Sequence, residues 1–192
     1  TVSGELRFVI GVSDEIRPEA KKALMKLRKM GIKRFVMLTG DNQITAQAVA
    51  TQLGIDEVKA ELLPADKVKE VQKLKDTGHI VAFVGDGIND SPSIALADIG
   101  IAMGSGTDVA VETSDIVLMR SSFDELVHAF GLTRATIFNM RQNIGISLAT
   151  VGLLFVGLFA GFIYMASGMF VHEASILFVI LNGLRLMKFR VK

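Results

Sequence analysis

The chain has 192 residues, 50% of them hydrophobic, with 21 Lys or Arg against 20 Asp or Glu, three His and no Cys. A net charge of +1 supplies no phosphate-neutralising excess, which argues against an electrostatic nucleic-acid binder. Without cysteine there are no disulfides or thiolate metal sites within the chain, and a hydrophobic share this high for a soluble domain must be localised somewhere.

In chain order, Ala20, Ala23, Leu24 and Leu27 recur at i, i+3, i+4 and i+7, so Pro18 to Met30 reads as a helix with proline in its first turn. "RFVML" (Arg34 to Leu38) is a short apolar run of strand type and leads into "TGDN" (Thr39 to Asn42). A second helix, marked by Val68, Val71 and Leu74, spans about Ala65 to Asp76. "IVAFV" (Ile80 to Val84), "IGIAM" (Ile99 to Met103) and "DIVLM" (Asp115 to Met119) are further buried strands bounded by Gly or Asp. Strands alternating with helices predict an α/β domain with a doubly wound, mainly parallel sheet.

The apolar surplus lies at the end. From Ile144 to Met187 the strongly polar side chains are His172, Glu173, Asn182 and Arg185. Spanning a bilayer takes roughly 20 apolar residues, which Ile144 to Tyr164 supplies and Phe170 to Met187 nearly does, with "MASGM" (Met165 to Met169) as a turn-like link. The expected organisation is therefore residues 1–133 as one domain and 134–192 as a linker helix with two membrane helices, about 144–164 and 170–187. Arg134 and Arg141 precede the hairpin, while Arg185, Lys188, Arg190 and Lys192 follow it, which places both ends and the first domain on the cytoplasmic side of the plasma membrane. The first span comes too late in the sequence to be a signal peptide.

In open parallel sheets, ligands sit beyond the carboxyl ends of the strands, where "TGDN" and "GDGIND" (Gly85 to Asp90) both fall. Glycine lets the backbone present amides to an anion. Thr39 offers a hydroxyl, Gly40 and Asp41 their amides, and Lys67 a compact charge: together a cradle for a phosphoryl group. Asp86 and Asp90, four residues apart, repel each other unless a cation sits with them, and magnesium is the hard cation that takes few protein ligands.

"TGDN", then "PADK" (Pro64 to Lys67), then "GDGINDSPSIALADIGIAMGSGTDVAVETSDIVL" resembles the phosphorylation domain of P-type ATPases, a branch of the haloacid dehalogenase-like fold. "DEIRP" (Asp14 to Pro18) looks like that family's strand-to-helix junction, while "QNIGISL" and "LNGLRLM" look like its heavy-metal-pumping subgroup. The resemblance implies that Thr39, Gly40 and Asp41 hold the phosphoryl group, that Lys67 neutralises it, and that Asp86 binds magnesium with Asp90 in support. It also implies ATP as the energy source of the complete pump. The family's nucleophile motif, Asp-Lys-Thr-Gly-Thr, does not occur in this sequence. Asp14, the nearest aspartate, lacks the lysine and threonine that should follow it. No catalytic residue is assigned, and the chain reads as a carboxy-terminal portion, inert alone, whose partners are the bilayer, a heavy-metal ion and the missing amino-terminal half of the pump.

Ionisable residues in a span need a reason, and "HEAS" (His172 to Ser175) resembles the His-Glu-Gly-Ser/Thr motif of cobalt/zinc-type pumps, with Ala174 in place of glycine. His172, Glu173 and Ser175 are the implied transport residues; imidazole and carboxylate suit Zn2+ or Co2+ better than copper(I). Met165 and Met169 keep copper as an alternative. Competing readings are a non-catalytic metal-binding or pump-associated membrane protein, and a membrane-anchored haloacid dehalogenase-like phosphatase. The phosphatase reading lacks the Asp-x-Asp loop that it requires.

Overall fold

The computed structural model describes residues 15–86, 89–104 and 108–189. The chain divides into two compact units, Thr1–Phe123 and Asp124–Lys192.

In the first unit, α1 (Ala20–Lys29) buries Ala20, Ala23 and Leu27 and carries Lys26, Arg28 and Lys29 in its last turn, where cations complement the helix dipole. Strand β1 (Val36–Leu38) pairs in parallel with β2 (Glu57–Lys59), Val36 opposite Glu57 and Leu38 opposite Lys59. Helix α2 (Gln43–Leu53) connects them, capped by the Asn42 side chain accepting from the Thr45 amide at 2.9 Å and ended by Gly54 at φ +74. Helix α3 (Pro64–Asp76) starts on proline, whose missing N–H costs nothing there. Strands β3 (Ala82–Gly85), β4 (Ile99–Met103) and β5 (Ile116–Leu118) form a second parallel sheet in the order β3-β4-β5, with α4 (Ser91–Leu96) and α5 (Asp108–Thr113) in the crossovers. The core is Val71, Phe83, Ile94 and Ala102, with Leu38 and Val81 packed against it. Leu38 thus ties β1 to the core that β3 and α3 share, although no ladder joins the two sheets among the described residues. The α/β, parallel architecture expected from the sequence is the one found.

Polar contacts tie these elements down. Arg28 Nη2 reaches both Asp56 carboxylate oxygens at 3.0 and 2.9 Å and the Gly54 carbonyl at 3.2 Å, while its guanidinium lies 5.0 Å over the Phe35 ring. The Phe35 amide donates to Asp56 at 2.8 Å. The Arg28 hydrogen bond, followed by the Phe35 amide, holds the Asp56 carboxyl below its usual range. Further along, Asp98 accepts from the Val81 amide at 2.8 Å and Lys75 reaches the Leu96 carbonyl at 2.6 Å. The Val81 amide first, and after it the Lys75 ammonium 3.2 Å from Asp98 Oδ1, depress the Asp98 carboxyl in the same direction.

In the second unit, α6 (Phe123–Phe159) is one helix of 37 residues, about 55 Å at 1.5 Å per residue. It runs unbroken through both the expected linker and the first apolar segment. Helix α7 (Met165–Leu184) passes into a 3₁₀ turn, Arg185–Lys188. The break between helices falls at Ala160–Tyr164, earlier than the expected Met165–Met169. Gly161, at φ +75, ends α6: its amide donates to Leu158 and the Phe162 amide to Gly157, the paired bonds of a Schellman cap. Ser167 then accepts from the Tyr164 amide at 3.0 Å, which puts "MASGM" in the first turn of α7. Both helices are long and apolar enough to cross a membrane, and residues such as Leu148, Phe155, Phe178 and Leu181 stay exposed. A core helix of a soluble protein would bury them.

Two stability outcomes follow from the first unit. The Ser93 hydroxyl is fully buried without a hydrogen-bond partner among the described residues. Ser93→Ala is therefore expected to stabilise the domain by about 1 kcal/mol, read as a higher urea midpoint; an unchanged or lower midpoint would show that the hydroxyl has a use. Asp56 and Asp98 are depressed on folding, so their contribution is present above about pH 4 and is lost as pH falls through their folded values. Thermal melts between pH 6 and pH 3 should show a shallower acid loss in Asp56→Asn than in the parent.

Candidate functional site

The site is built from three loops. The turn after β1 is held from below: the Thr39 amide donates to the Lys59 carbonyl at 3.0 Å, the Leu62 amide to the Thr39 carbonyl at 3.0 Å, and the Glu61 amide to the Asp41 carbonyl at 2.8 Å. Glu61 adopts φ +57 to do so. Inside the turn, Thr39 Oγ1 donates to Asp41 Oδ2 at 2.9 Å and accepts from the Asp41 amide at 3.0 Å. Of the donors expected here, the Thr39 hydroxyl and the Asp41 amide are thus engaged within the turn, and the Gly40 amide is the one with no acceptor among the described residues.

The second and third pieces meet. Lys67, one turn into α3, places Nζ 2.8 Å from Asp90 Oδ1, with both side chains about 15% exposed. Asp90 stands immediately before α4, and its approach is possible because Gly85 closes β3: a Cβ at Gly85 would lie 2.8 Å from Asp90 Cβ and 2.9 Å from Asp90 Oδ2. Gly85 is a site residue that the sequence reading passed over, although the first glycine of "GDG" was the available signal. Asp86 follows directly and is exposed. Asp90 was expected as a second magnesium carboxylate; its Oδ1 instead holds the lysine, leaving Oδ2 against Gly85. The carboxylates fit a hard cation to that extent: one exposed aspartate, plus one oxygen packed against Gly85, where a Cβ would lie 2.9 Å from it. No hydrogen bond joins the Thr39–Asp41 turn to Lys67 or Asp90. The turn after β1 and the Lys67–Asp90 pair are separate halves of the site.

In α7, His172 and Glu173 are exposed, while Ser175 is half-buried and donates to the His172 carbonyl at 2.7 Å. Among the described residues no three His, Asp or Glu side chains come together. Asp14, Arg190 and Lys192 lie outside the described residues.

Residues 1–98 match the sequence profile of haloacid dehalogenase-like hydrolases. The chain belongs to that family. Over nearly its whole length it is also similar to heavy-metal P-type ATPases, as its motifs implied. It is 48% identical to the zinc-transporting ATPase of Bacillus subtilis (strain 168) over 93% of this chain and 28% of that protein. It is 47% identical to the manganese-exporting P-type ATPase of Mycobacterium tuberculosis (strain ATCC 25618 / H37Rv) over 99% of this chain and 27% of the relative. A crystal structure of a zinc-transporting PIB-type ATPase in an E2.Pi state superposes with TM-score 0.81 at 44% identity, covering 91% of this chain and 28% of the other. The chain spans little more than a quarter of the length of these relatives.

Gly85→Ala drives a methyl group into Asp90 and is expected to destabilise the domain by about 1–3 kcal/mol through overpacking. The double variant Gly85→Ala/Asp90→Ala should recover part of that loss in urea unfolding. Additive losses would mean that Asp90 is not what confines position 85.

Proposed function

We propose that this chain is the carboxy-terminal portion of an ATP-driven heavy-metal cation pump, supplying the phosphate- and magnesium-binding side of the phosphorylation domain and the last two membrane spans. The observation that carries the reading is the combination, in one chain, of a lysine–aspartate pair at the carboxyl edge of a parallel sheet with two unburied helices of membrane length.

Phosphoryl transfer asks a protein mainly for position and charge. Lys67 is the mobile cation of the site, and an arriving phosphoryl group competes with Asp90 for its ammonium. Asp90 keeps that ammonium aimed and partly dehydrated until then, which makes it a positioning residue. The Gly40 amide offers an anion contact in the opposite half, and the Thr39 hydroxyl can turn from Asp41 to add a second. Asp86, with Asp90 Oδ2, would hold magnesium, which supplies charge neutralisation at phosphoryl oxygens when bound. The attacking carboxylate is absent from the motifs of this sequence. The domain division expected at residue 133 belongs to the same reading, with the phosphorylation domain on the cytoplasmic face of the plasma membrane.

The cargo is a divalent ion of borderline softness, zinc or cobalt, met by His172, Glu173 and Ser175. With radiolabelled ATP and magnesium, the 192-residue chain should form no acid-stable phosphoenzyme. Hydroxylamine-sensitive label on it would sink the reading. Joined to the missing part of a zinc-stimulated relative, the chain should restore metal-stimulated ATP turnover, and His172→Ala should lower the zinc response at least about tenfold. An equal response in parent and variant would remove His172 from the ion path.

A further inference from the structure

The apolar hairpin holds a polar network that the reading above does not use. Asn139 Nδ2 donates to the Asn182 carbonyl at 2.9 Å, Asn182 Nδ2 to Asn143 Oδ1 at 2.8 Å, and Asn143 Nδ2 to Asn139 Oδ1 at 3.1 Å, which closes a ring between α6 and α7. Arg185 Nη1 completes it with a bond to Asn182 Oδ1 at 2.9 Å. Asn139 and Asn182 are 8% and 9% exposed, on helices whose other faces are open. The Asn182 carbonyl belongs to the last turn of α7, where carbonyls lack intrahelical partners, and the 3₁₀ turn that begins at Arg185 follows it directly.

We infer that Asn139, Asn143, Asn182 and Arg185 form a clasp that fixes the axial register and rotation of α7 against α6. The repeat supports it. Stepping one heptad along each antiparallel helix from the Asn143–Asn182 contact leads to Thr150 and Ser175, and another leads to Gly157 and Gly168. Thr150 and Ser175 are half-buried, and each turns its hydroxyl onto its own helix, Thr150 to the Ile146 carbonyl at 2.9 Å. Gly157 and Gly168 both abut the Ile163 side chain at the connecting turn. Asn182, Val179 and Ser175 lie on the side of α7 that faces α6, and His172 sits at the margin of that side. Interhelical hydrogen bonds in a membrane contribute about 0.6–2 kcal/mol each, so a ring of them sets geometry more than it adds stability. For transport the clasp consists of positioning residues, and that part rests on the pump reading; the register itself does not.

Cysteine scanning is direct because the chain has no native Cys. Thr150→Cys/Ser175→Cys, in lipid nanodiscs with a bifunctional thiol reagent spanning about 8–10 Å, should cross-link at least about ten times faster than Leu148→Cys/Ser175→Cys, whose first cysteine lies on the opposite side of α6. Adding Asn182→Leu, or the milder Asn143→Ala, should erase most of that preference while circular dichroism stays helical. Equal rates for the two pairs, or a preference untouched by both asparagine variants, would overturn the clasp. Zinc binding to the same samples is read separately. Unaltered zinc binding in His172→Ala with the cross-link preference intact would count against the transport reading and leave the clasp standing.

Discussion

The Lys67–Asp90 ion pair is the constraint around which the first unit is arranged. To make it, α3 must begin on Pro64 so that Lys67 emerges one turn in, and β3 must end on glycine so that Asp90 can come close. Two charges this little exposed are costly apart and tolerable together. The pair therefore fixes the loop after β3 to α3 without a ligand, and it keeps the cation near where an anion would arrive. A free lysine on α3 would spend most of its time in solvent. A carboxylate partner keeps it aimed and displaceable.

The two units answer the cost of polar groups differently. In the first, water is near, and carboxylates such as Asp56 and Asp98 are held by a cation together with a backbone amide, which lowers their proton affinity. In the second, neutral amides of Asn139, Asn143 and Asn182 satisfy one another, and the one cation joined to them, Arg185, stands at the helix end. That division follows from the solvent. Charge is affordable only where water or a membrane surface is at hand.

What was legible in the sequence depended on periodicity and on punctuation. Strands β1, β3, β4 and β5 were readable because apolar runs end on Gly or Asp, and α1 and α3 because their apolar residues recur on one face. Strand β2 was not, since Glu57, Val58 and Lys59 make a three-residue run with charges at both ends. Helix α2 was missed because "QITAQAVATQL" carries no charge and only a weak apolar stripe; its evidence was the Asn42 cap and Gly54. The break between α6 and α7 went to "MASGM" because small residues suggest a turn, whereas Gly161 with its paired cap bonds decides it. At the site, residue types were visible but allegiance was not. Two nearby aspartates called for a cation, and the sequence could not say that Lys67, twenty-three positions away from Asp90, already provides one.

That difference changes how the two aspartates should be thought of. With Asp90 engaged by Lys67, one oxygen of that carboxylate is already committed before any metal arrives. A divalent cation drawn to Asp86 would meet Asp90 Oδ2 only by sharing Asp90 with the ammonium, and like charges so placed oppose each other. On the proposed reading a phosphoryl group would resolve the conflict, since its oxygens could take the lysine and leave Asp90 to the metal. Under the proposed reading, anion and cation would then favour each other's binding at a site where either alone must compete with the resting ion pair. Cooperation of this kind needs no moving domain. It would follow from one carboxylate with two suitors, held between α3 and the loop after β3.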